Sequence, residues 1–113
     1  MSCIRLTVLR LKPKRWQQAA PLLKKIDDLC AADPELMMSF VFGSPAAHDT
    51  VLGRISFWKT EAAANRIAMS ERTLSLRAEL QRLVEEEPVE VLAPIRSGFW
   101  PGGLVVPSLS FAS

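Results

Sequence analysis

Residues 51–69, VLGRISFWKTEAAANRIAM, contain the pattern from which the fold can be predicted. An apolar run that ends at Trp58 is typical of a buried strand. A polar turn follows, in which Thr60 is a favourable helix N-cap and Glu61 suits the positive end of a helix dipole. The alanine-rich segment after this turn predicts a helix.

The rest of the chain alternates between strand and helix patterns. Short apolar runs predict three further strands, and apolar residues at helical spacing predict a first helix and a continuation of the second. Pro21 lies inside the first helical pattern, so we expect a kink there or a helix start near it. The predicted elements are a strand over residues 3–11, a helix over about 14–32, strands over 36–42 and 51–58, a helix over about 61–69 that resumes over about 71–86, and a strand over 89–95.

This order of elements predicts an α+β fold, the ferredoxin-like βαββαβ sandwich. Both helices then cover one face of a four-stranded antiparallel sheet, with the first and third strands in the centre. At 113 residues the chain is expected to be one domain. We assign residues 1–95 to this domain and residues 96–113 to an apolar C-terminal arm that packs on it or on a partner.

The two faces of the predicted sheet differ in polarity. One face has no polar side chain, and we assign it to the helices. The other is mixed, yet more apolar than a monomer usually exposes, so we expect it to meet a second copy. Two stacked sheets would give an isologous homodimer, an α/β barrel with a cavity between the sheets. The alternative is that the C-terminal arm folds back over this face. The apolar set is Ile4, Leu6, Val8, Leu36, Met38, Phe40, Phe42, Val51, Gly53, Ile55, Phe57, Val89, Val91, Ala93 and Ile95; the mixed set is Arg5, Thr7, Leu9, Met37, Ser39, Val41, Leu52, Arg54, Ser56, Trp58, Glu90 and Leu92.

The polar residues of the mixed face form the candidate ligand site. Arg5 and Arg54 are expected on neighbouring strands, with Glu90 on the strand beside the first. This cluster is a candidate site for a small anionic or aromatic molecule: two guanidinium groups and one carboxylate leave a positive charge, which an acidic ligand would offset. An ion pair across the dimer seam is the alternative. The predicted cavity residues are Arg5, Thr7, Ser39, Arg54, Ser56, Trp58 and Glu90.

His48 is the only histidine and the candidate catalytic base. It lies in a predicted loop over residues 43–49, where it can act with Asp49 as an acid–base pair. An exposed loop histidine is the alternative. One histidine excludes a three-histidine zinc site within one chain, and neither a phosphate loop nor a nucleophile elbow is present. Cys3 and Cys30 lack metal-ligand spacing and are expected to be buried, reduced thiols, so we expect no metal.

The composition argues against several classes of partner. The formal net charge is only +2 and basic residues are interleaved with acidic ones, so no nucleic acid is expected as a partner. No run approaches the roughly 18 apolar residues of a membrane span. Polar residues interrupt the N-terminal segment MSCIRLTVLRLK, which is unlike a signal peptide. We therefore expect a cytoplasmic protein without a membrane partner.

Several stretches together resemble the dimeric α/β-barrel superfamily, in its antibiotic-biosynthesis-monooxygenase-like branch. The resemblance covers about residues 3–95 and rests on a third strand that ends in an aromatic residue, a polar turn, an alanine-rich helix and a second helical piece opening with Ser70-Glu71. It implies the same fold and a homodimer. The superfamily includes cofactor-independent oxygenases of quinols and polyketides, haem-degrading enzymes, muconolactone isomerases and members without known activity. The stretches are RLTVLRLKP, SFVFGSP and GRISFWKTEAAANRIAMSERTLSLRAEL.

One branch of the superfamily can be tested by residue. Haem-degrading members need an asparagine on the first strand, a tryptophan in the helix and a histidine further on. Alignment on Trp58 gives Ile4, Ile67 and Arg77 at those positions. We therefore expect neither haem degradation nor a cofactor. Two functions stay open: a cofactor-independent monooxygenase acting on an aromatic or polyketide-like substrate, and a non-catalytic dimeric module that binds a small molecule or assembles.

Overall fold

The computed structural model describes residues 2–44 and 50–98, and within them the predicted order of elements is confirmed. The second helix is divided in two, so that seven elements follow one another along the chain. They are β1 (Cys3–Arg10), α1 (Trp16–Ala31), β2 (Leu36–Ser44), β3 (Val51–Trp58), α2 (Glu61–Ala68), α3 (Glu71–Gln81) and β4 (Val89–Pro94). His48 and residues 99–113 of the proposed arm lie outside the described residues, so the domain boundary at residue 95 stays a prediction.

The four strands form one antiparallel sheet in the order β2-β3-β1-β4, which confirms the predicted central position of the first and third strands. Thr7 in β1 lies opposite Arg54 in β3 on one side and Glu90 in β4 on the other. Residues directly opposite each other in a sheet point to the same face. These three side chains therefore form a row across the sheet.

The helices cover the mixed face of the sheet, not the wholly apolar face that we assigned to them. Leu9, Leu52 and Trp58 belong to the mixed set, and they are buried in one core cluster with Ala19 and Leu23 of α1. The assignment of the two faces was therefore wrong. A register shift at the start of β2 also places Leu36 opposite Trp58, on the helix side.

The apolar face lies open on the other side of the sheet. Phe40 and Val89 are 53% and 56% exposed, and Phe42 and Val91 also stay largely accessible. The ring of Phe42 lies over Gly53, where an added Cβ would come within 2.3 Å of it. We expected one largely apolar sheet face to be left without helices. Such a face is present, but it is the wholly apolar face and not the mixed face.

The long second helix ends earlier than predicted. Thr60 caps α2 by accepting from the Ala63 N–H, as expected, and Ser70 caps α3 by accepting from the Thr73 N–H. α3 then ends at Gln81 instead of residue 86. The cause is that the following residues pair with the chain after β1, where Lys12 N–H donates to the Leu83 carbonyl at 2.8 Å.

The first helix begins ahead of its proline. α1 starts at Trp16 and continues through Pro21 to Ala31, close to the predicted range of about 14–32; of the two alternatives expected at Pro21, a helix start is wrong. Of the helices in the described residues, none is long and apolar enough to cross a membrane.

The cap of α2 gives a prediction for stability. Thr60 Oγ1 accepts from Ala63 N–H at 3.2 Å and donates to Glu35 Oε1 at 2.9 Å. Thr60→Ala should lower the free energy of unfolding by about 1 kcal/mol, because the first turn of α2 loses its side-chain acceptor. Urea denaturation measures this loss. Ser75→Ala, at an exposed position inside α3, is the control and should change stability by less than about 0.5 kcal/mol. Equal losses in both variants would contradict the role of the cap.

Candidate functional site

A cavity of about 70 Å³ lies between the mixed face of the sheet and the three helices, and it opens to solvent at one side. Sheet residues form its floor, and residues of all three helices form its walls. The residues that line the cavity therefore all belong to one protomer, whereas the sequence predicted a cavity between the sheets of two protomers.

The structure brings most of the predicted cavity residues to this place. Ser56 is fully buried on the same sheet face without reaching the cavity, and Ser39 lies opposite it on β2, away from the cavity. His48 lies outside the described residues. The predicted residues that line the cavity are Arg5, Thr7, Arg54, Trp58 and Glu90.

Arg54 is the most deeply buried charged residue of the cavity, with 4% of its surface exposed. Its Nε donates to Asp27 Oδ1 of α1 at 2.7 Å, which supplies the counter-charge that a buried guanidinium needs. Its Nη2 is also buried and has no hydrogen-bond partner within residues 2–44 and 50–98. One donor of this guanidinium is thus left for another acceptor.

Arg5 is in a similar situation on the neighbouring strand. Its Nη2 donates to Asn65 Oδ1 of α2 at 3.0 Å, and its buried Nε has no acceptor in the described part of the chain. Burial lowers the pKa of Arg5, and the nearby carboxylate of Glu90 opposes this shift. Because arginine starts from so high a pKa, the guanidinium stays charged at neutral pH.

Glu90 is paired with a residue that sequence reasoning did not include in the cluster. Both of its carboxylate oxygens accept from Nη2 of Arg77 on α3. The two side chains are 33% and 35% exposed, so this pair lies at the more solvent-accessible side of the cavity. The predicted ion pair across a dimer seam is therefore wrong for these residues: Glu90 and Arg54 each pair within one protomer.

The remaining surface of the cavity is largely apolar. Trp58 is 1% exposed, and its Nε1 donates to Ser56 Oγ at 2.8 Å, which fixes the orientation of the ring. The thiol of Cys30 also lines the cavity, and burial raises its pKa, so it is neutral at pH 7. Both cysteines are free and buried, as predicted. The aliphatic side chains at the cavity include Leu9, Leu23, Ile26, Ile67 and Leu80.

The positions aligned with the haem-degrading branch are only partly at this cavity. Ile67 and Arg77 line it. Ile4 lies opposite Phe57 on the open face, so it does not occupy a site position. The next residue, Arg5, lines the cavity instead, because successive strand residues point to opposite faces.

The main residues that sequence reasoning missed come from the helices. Asp27 looks like part of the polar side of α1, next to Asp28. It nevertheless lies four residues after Leu23 and three before Cys30, both buried, and this spacing puts it on the inner stripe of the helix. That spacing was the available signal. For Asn65 no comparable signal is present in the sequence.

The Arg54–Asp27 pair gives a prediction for stability. Asp27→Ala should lower the free energy of unfolding by about 3 kcal/mol, because it leaves the Arg54 charge buried without its partner. The double variant Asp27→Leu/Arg54→Met should regain most of this loss, since no charge is then buried. Chemical denaturation of all variants measures both effects.

The adjacent residue provides the control. Asp28 pairs with Lys24 at 3.1 Å, but both side chains are mostly exposed, so Asp28→Ala should cost less than about 0.5 kcal/mol. If Asp27→Ala and Asp28→Ala lowered stability equally, the buried pair would have no special role.

Comparison with known proteins establishes the fold. No family model and no curated protein matches the sequence. Solved structures do match: a conserved protein from Methanosarcina mazei Go1 shares 14% identity at a TM-score of 0.74, over 83% of this chain and 92% of the other. SnoaB, a cofactor-independent oxygenase from Streptomyces nogalater, shares 12% identity at a TM-score of 0.71, over 86% and 95% of the two chains. An antibiotic biosynthesis monooxygenase shares 17% identity at a TM-score of 0.67, over 81% and 95%. The chain therefore has the fold of antibiotic-biosynthesis-monooxygenase-like proteins, as the resemblance implied.

Proposed function

We propose that the chain is a cofactor-independent monooxygenase that acts on an aromatic or polyketide-like small molecule inside this cavity. The observation that carries the proposal is the cavity itself, which combines apolar walls, a fixed indole ring and buried cationic donors. The shared fold with SnoaB supports it, since that protein is a cofactor-independent oxygenase.

The proposed reaction places few demands on the protein. A base removes a proton from an activated C–H of the substrate, and the resulting carbanion, delocalised as an enolate, gives one electron to O₂. The substrate radical and superoxide combine to form a C–O bond. Cleavage of the O–O bond with loss of water leaves a ketone, so one O₂ supplies one oxygen atom to the product and one to water. The protein must exclude water and stabilise the negative charge that develops on oxygen.

Each of these demands has a candidate in the chain. Apolar side chains exclude water, and the guanidinium groups stabilise developing negative charge on the substrate. His48 is the proposed proton acceptor, because its ordinary pKa is close to neutral. Glu90 is less suited to this role, since both of its oxygens already accept from Arg77.

The second candidate function is ligand binding without turnover. It is favoured by two ion pairs, since Glu90 at the cavity is engaged with Arg77 and Asp27 is engaged with the cavity residue Arg54. Without a free base at the substrate, the same cavity would hold its ligand unchanged. The two functions differ only in whether a proton acceptor reaches the ligand.

We also propose that the active form is a homodimer joined through the open apolar face. Phe40, Phe42, Val89 and Val91 belong to a face without a polar side chain, and monomers rarely leave such a patch in water. A second copy related by a twofold axis would present the same apolar face, so each face would cover the other. Each protomer would keep its own cavity on the far side of its sheet.

The oxygenase proposal predicts turnover of an anthrone, a tricyclic ketone with an acidic methylene group. Wild-type protein should convert anthrone to anthraquinone and water with one O₂ consumed per substrate, faster than the reaction without protein. An oxygen electrode and product chromatography measure this. His48→Ala should lower the rate by at least about 100-fold through loss of the base. Lys59→Ala, at an exposed turn position, is the control and should keep the wild-type rate. Unchanged turnover in His48→Ala would exclude this residue as the base.

The dimer proposal predicts that a charge on the open face separates the protomers. Phe40→Lys should shift the mass in light scattering from about twice 12.5 kDa toward 12.5 kDa, because a buried unpaired ammonium disfavours the interface. Leu74→Lys is the control: Leu74 is 42% exposed on α3, away from the sheet, and this change should leave the mass as it is. A wild-type mass near 12.5 kDa would contradict the dimer.

A further inference from the structure

Two buried donors at the cavity have no acceptor in the described residues: Nη2 of Arg54 and Nε of Arg5. Both belong to ionised groups, and a buried charged donor without an acceptor is costly. In folded proteins such a group is completed by an ordered water or by a bound ligand, and a ligand that displaces the water must supply the acceptor itself. The unpartnered donors therefore indicate that a ligand in this cavity carries hydrogen-bond acceptors.

The charges around the cavity favour an anion. Three guanidinium groups line it, those of Arg5, Arg54 and Arg77, and Glu90 supplies the one carboxylate among its lining residues. Asp27 adds a second carboxylate behind Arg54. Three positive and two negative charges leave one positive charge, which a ligand with a single negative charge would neutralise.

The two guanidinium groups that carry these donors are held in place through their other nitrogens. Asp27 on α1 fixes Arg54, and Asn65 on α2 fixes Arg5. Both anchors come from the helix layer, while the arginines come from adjacent strands of the sheet. Donors fixed in this way need little reorganisation when an acceptor arrives, which favours binding.

The apolar surroundings limit the kind of anion. The fixed ring of Trp58 and the aliphatic side chains of Leu23 and Ile67 line the same cavity. These three side chains provide no free hydrogen-bond donor to a small, strongly hydrated dianion such as phosphate. They suit a flat hydrocarbon body, since aromatic rings pack favourably on one another and on aliphatic groups.

We infer that the ligand of the proposed small-molecule site is an aromatic carboxylate, whose two oxygens accept from Arg54 Nη2 and Arg5 Nε while its ring packs against Trp58. The inference rests on the proposed ligand-binding function and is independent of whether the ligand is oxidised. A carboxylate matches two separate donors because it offers two acceptor oxygens.

The test compares two probes of the same shape, 2-naphthoate and 2-naphthalenemethanol, by calorimetry at neutral pH. Wild-type protein should bind the carboxylate at least about tenfold more tightly than the alcohol, because only the carboxylate satisfies the charged donors. Arg54→Met should remove most of this difference by weakening 2-naphthoate and should leave the alcohol within about twofold. Arg72→Met, at an exposed position of α3 outside the cavity, should change neither affinity.

A second variant keeps the test valid if Arg54→Met fails to fold. Arg54→Met/Asp27→Asn removes both members of the ion pair, so no charge is left buried alone. It should show the same selective loss of 2-naphthoate binding. Folding of each variant is checked by circular dichroism before titration.

The contradicting outcomes are distinct. Equal affinity for the two probes in the wild type, or equal loss of both in the variant, would overturn the carboxylate assignment. Displacement of 2-naphthoate by an equal concentration of inorganic phosphate would overturn the assignment of an aromatic ligand. Binding of neither probe would overturn this inference together with the small-molecule site. Selective binding of 2-naphthoate by a protein that leaves anthrone unoxidised would support this inference and count against the oxygenase alone.

Discussion

The buried ion pair between Arg54 of β3 and Asp27 of α1 is the interaction on which the arrangement of the two layers depends. A guanidinium in the centre of a sheet needs a carboxylate within hydrogen-bond distance, and α1 supplies it only in one rotational setting. That setting also brings Leu23 and Cys30, on the same stripe of the helix, to the cavity. Removal of one partner alone would leave a buried charge, so packing arrangements that separate Arg54 from Asp27 are disfavoured. The position of the helix layer and the shape of the cavity therefore have the same cause.

The layered organisation follows from how polar groups are satisfied on the inner side of the sheet. Arg5 has its acceptor on α2, and Ser56 accepts from the indole of Trp58. A mixed face can thus be buried beneath helices without a large penalty, provided that most polar atoms find partners. The wholly apolar face needs no such partners, and it is the one left without helices.

Sequence patterns predicted the elements and their order because strand alternation, helical spacing and prolines are local signals. They also divided the strand residues correctly into two sets, with Leu36 as the exception. They did not predict which set faces the helices. The assumption that fewer polar residues mean the helix side failed, since the partner of Arg54 is a helix residue far away along the chain. The end of α3 was likewise decided by pairing with the segment after β1, which no local pattern around Gln81 reveals.

The candidate site was also predicted in part: the strand residues were, and the helix residues were not. Arg5, Thr7, Arg54 and Glu90 were grouped correctly because the strand order and alternation bring them together. Their hydrogen-bond partners were not, because Asp27, Asn65 and Arg77 come from helices whose rotation depends on packing. The sheet half of the cavity was thus accessible from the sequence, and the helix half needed the structure.

The alternation along β3 has a consequence for how such a protein can change over evolution. Arg54 and Ile55 are neighbours in the chain, yet Arg54 lines the cavity and Ile55 lies on the open apolar face. Substitutions that change the ligand and substitutions that change the association surface therefore fall on alternating residues of the strand. Either property can evolve with little effect on the other. A single-residue insertion within the strand would end this independence at once, because every later side chain would change sides.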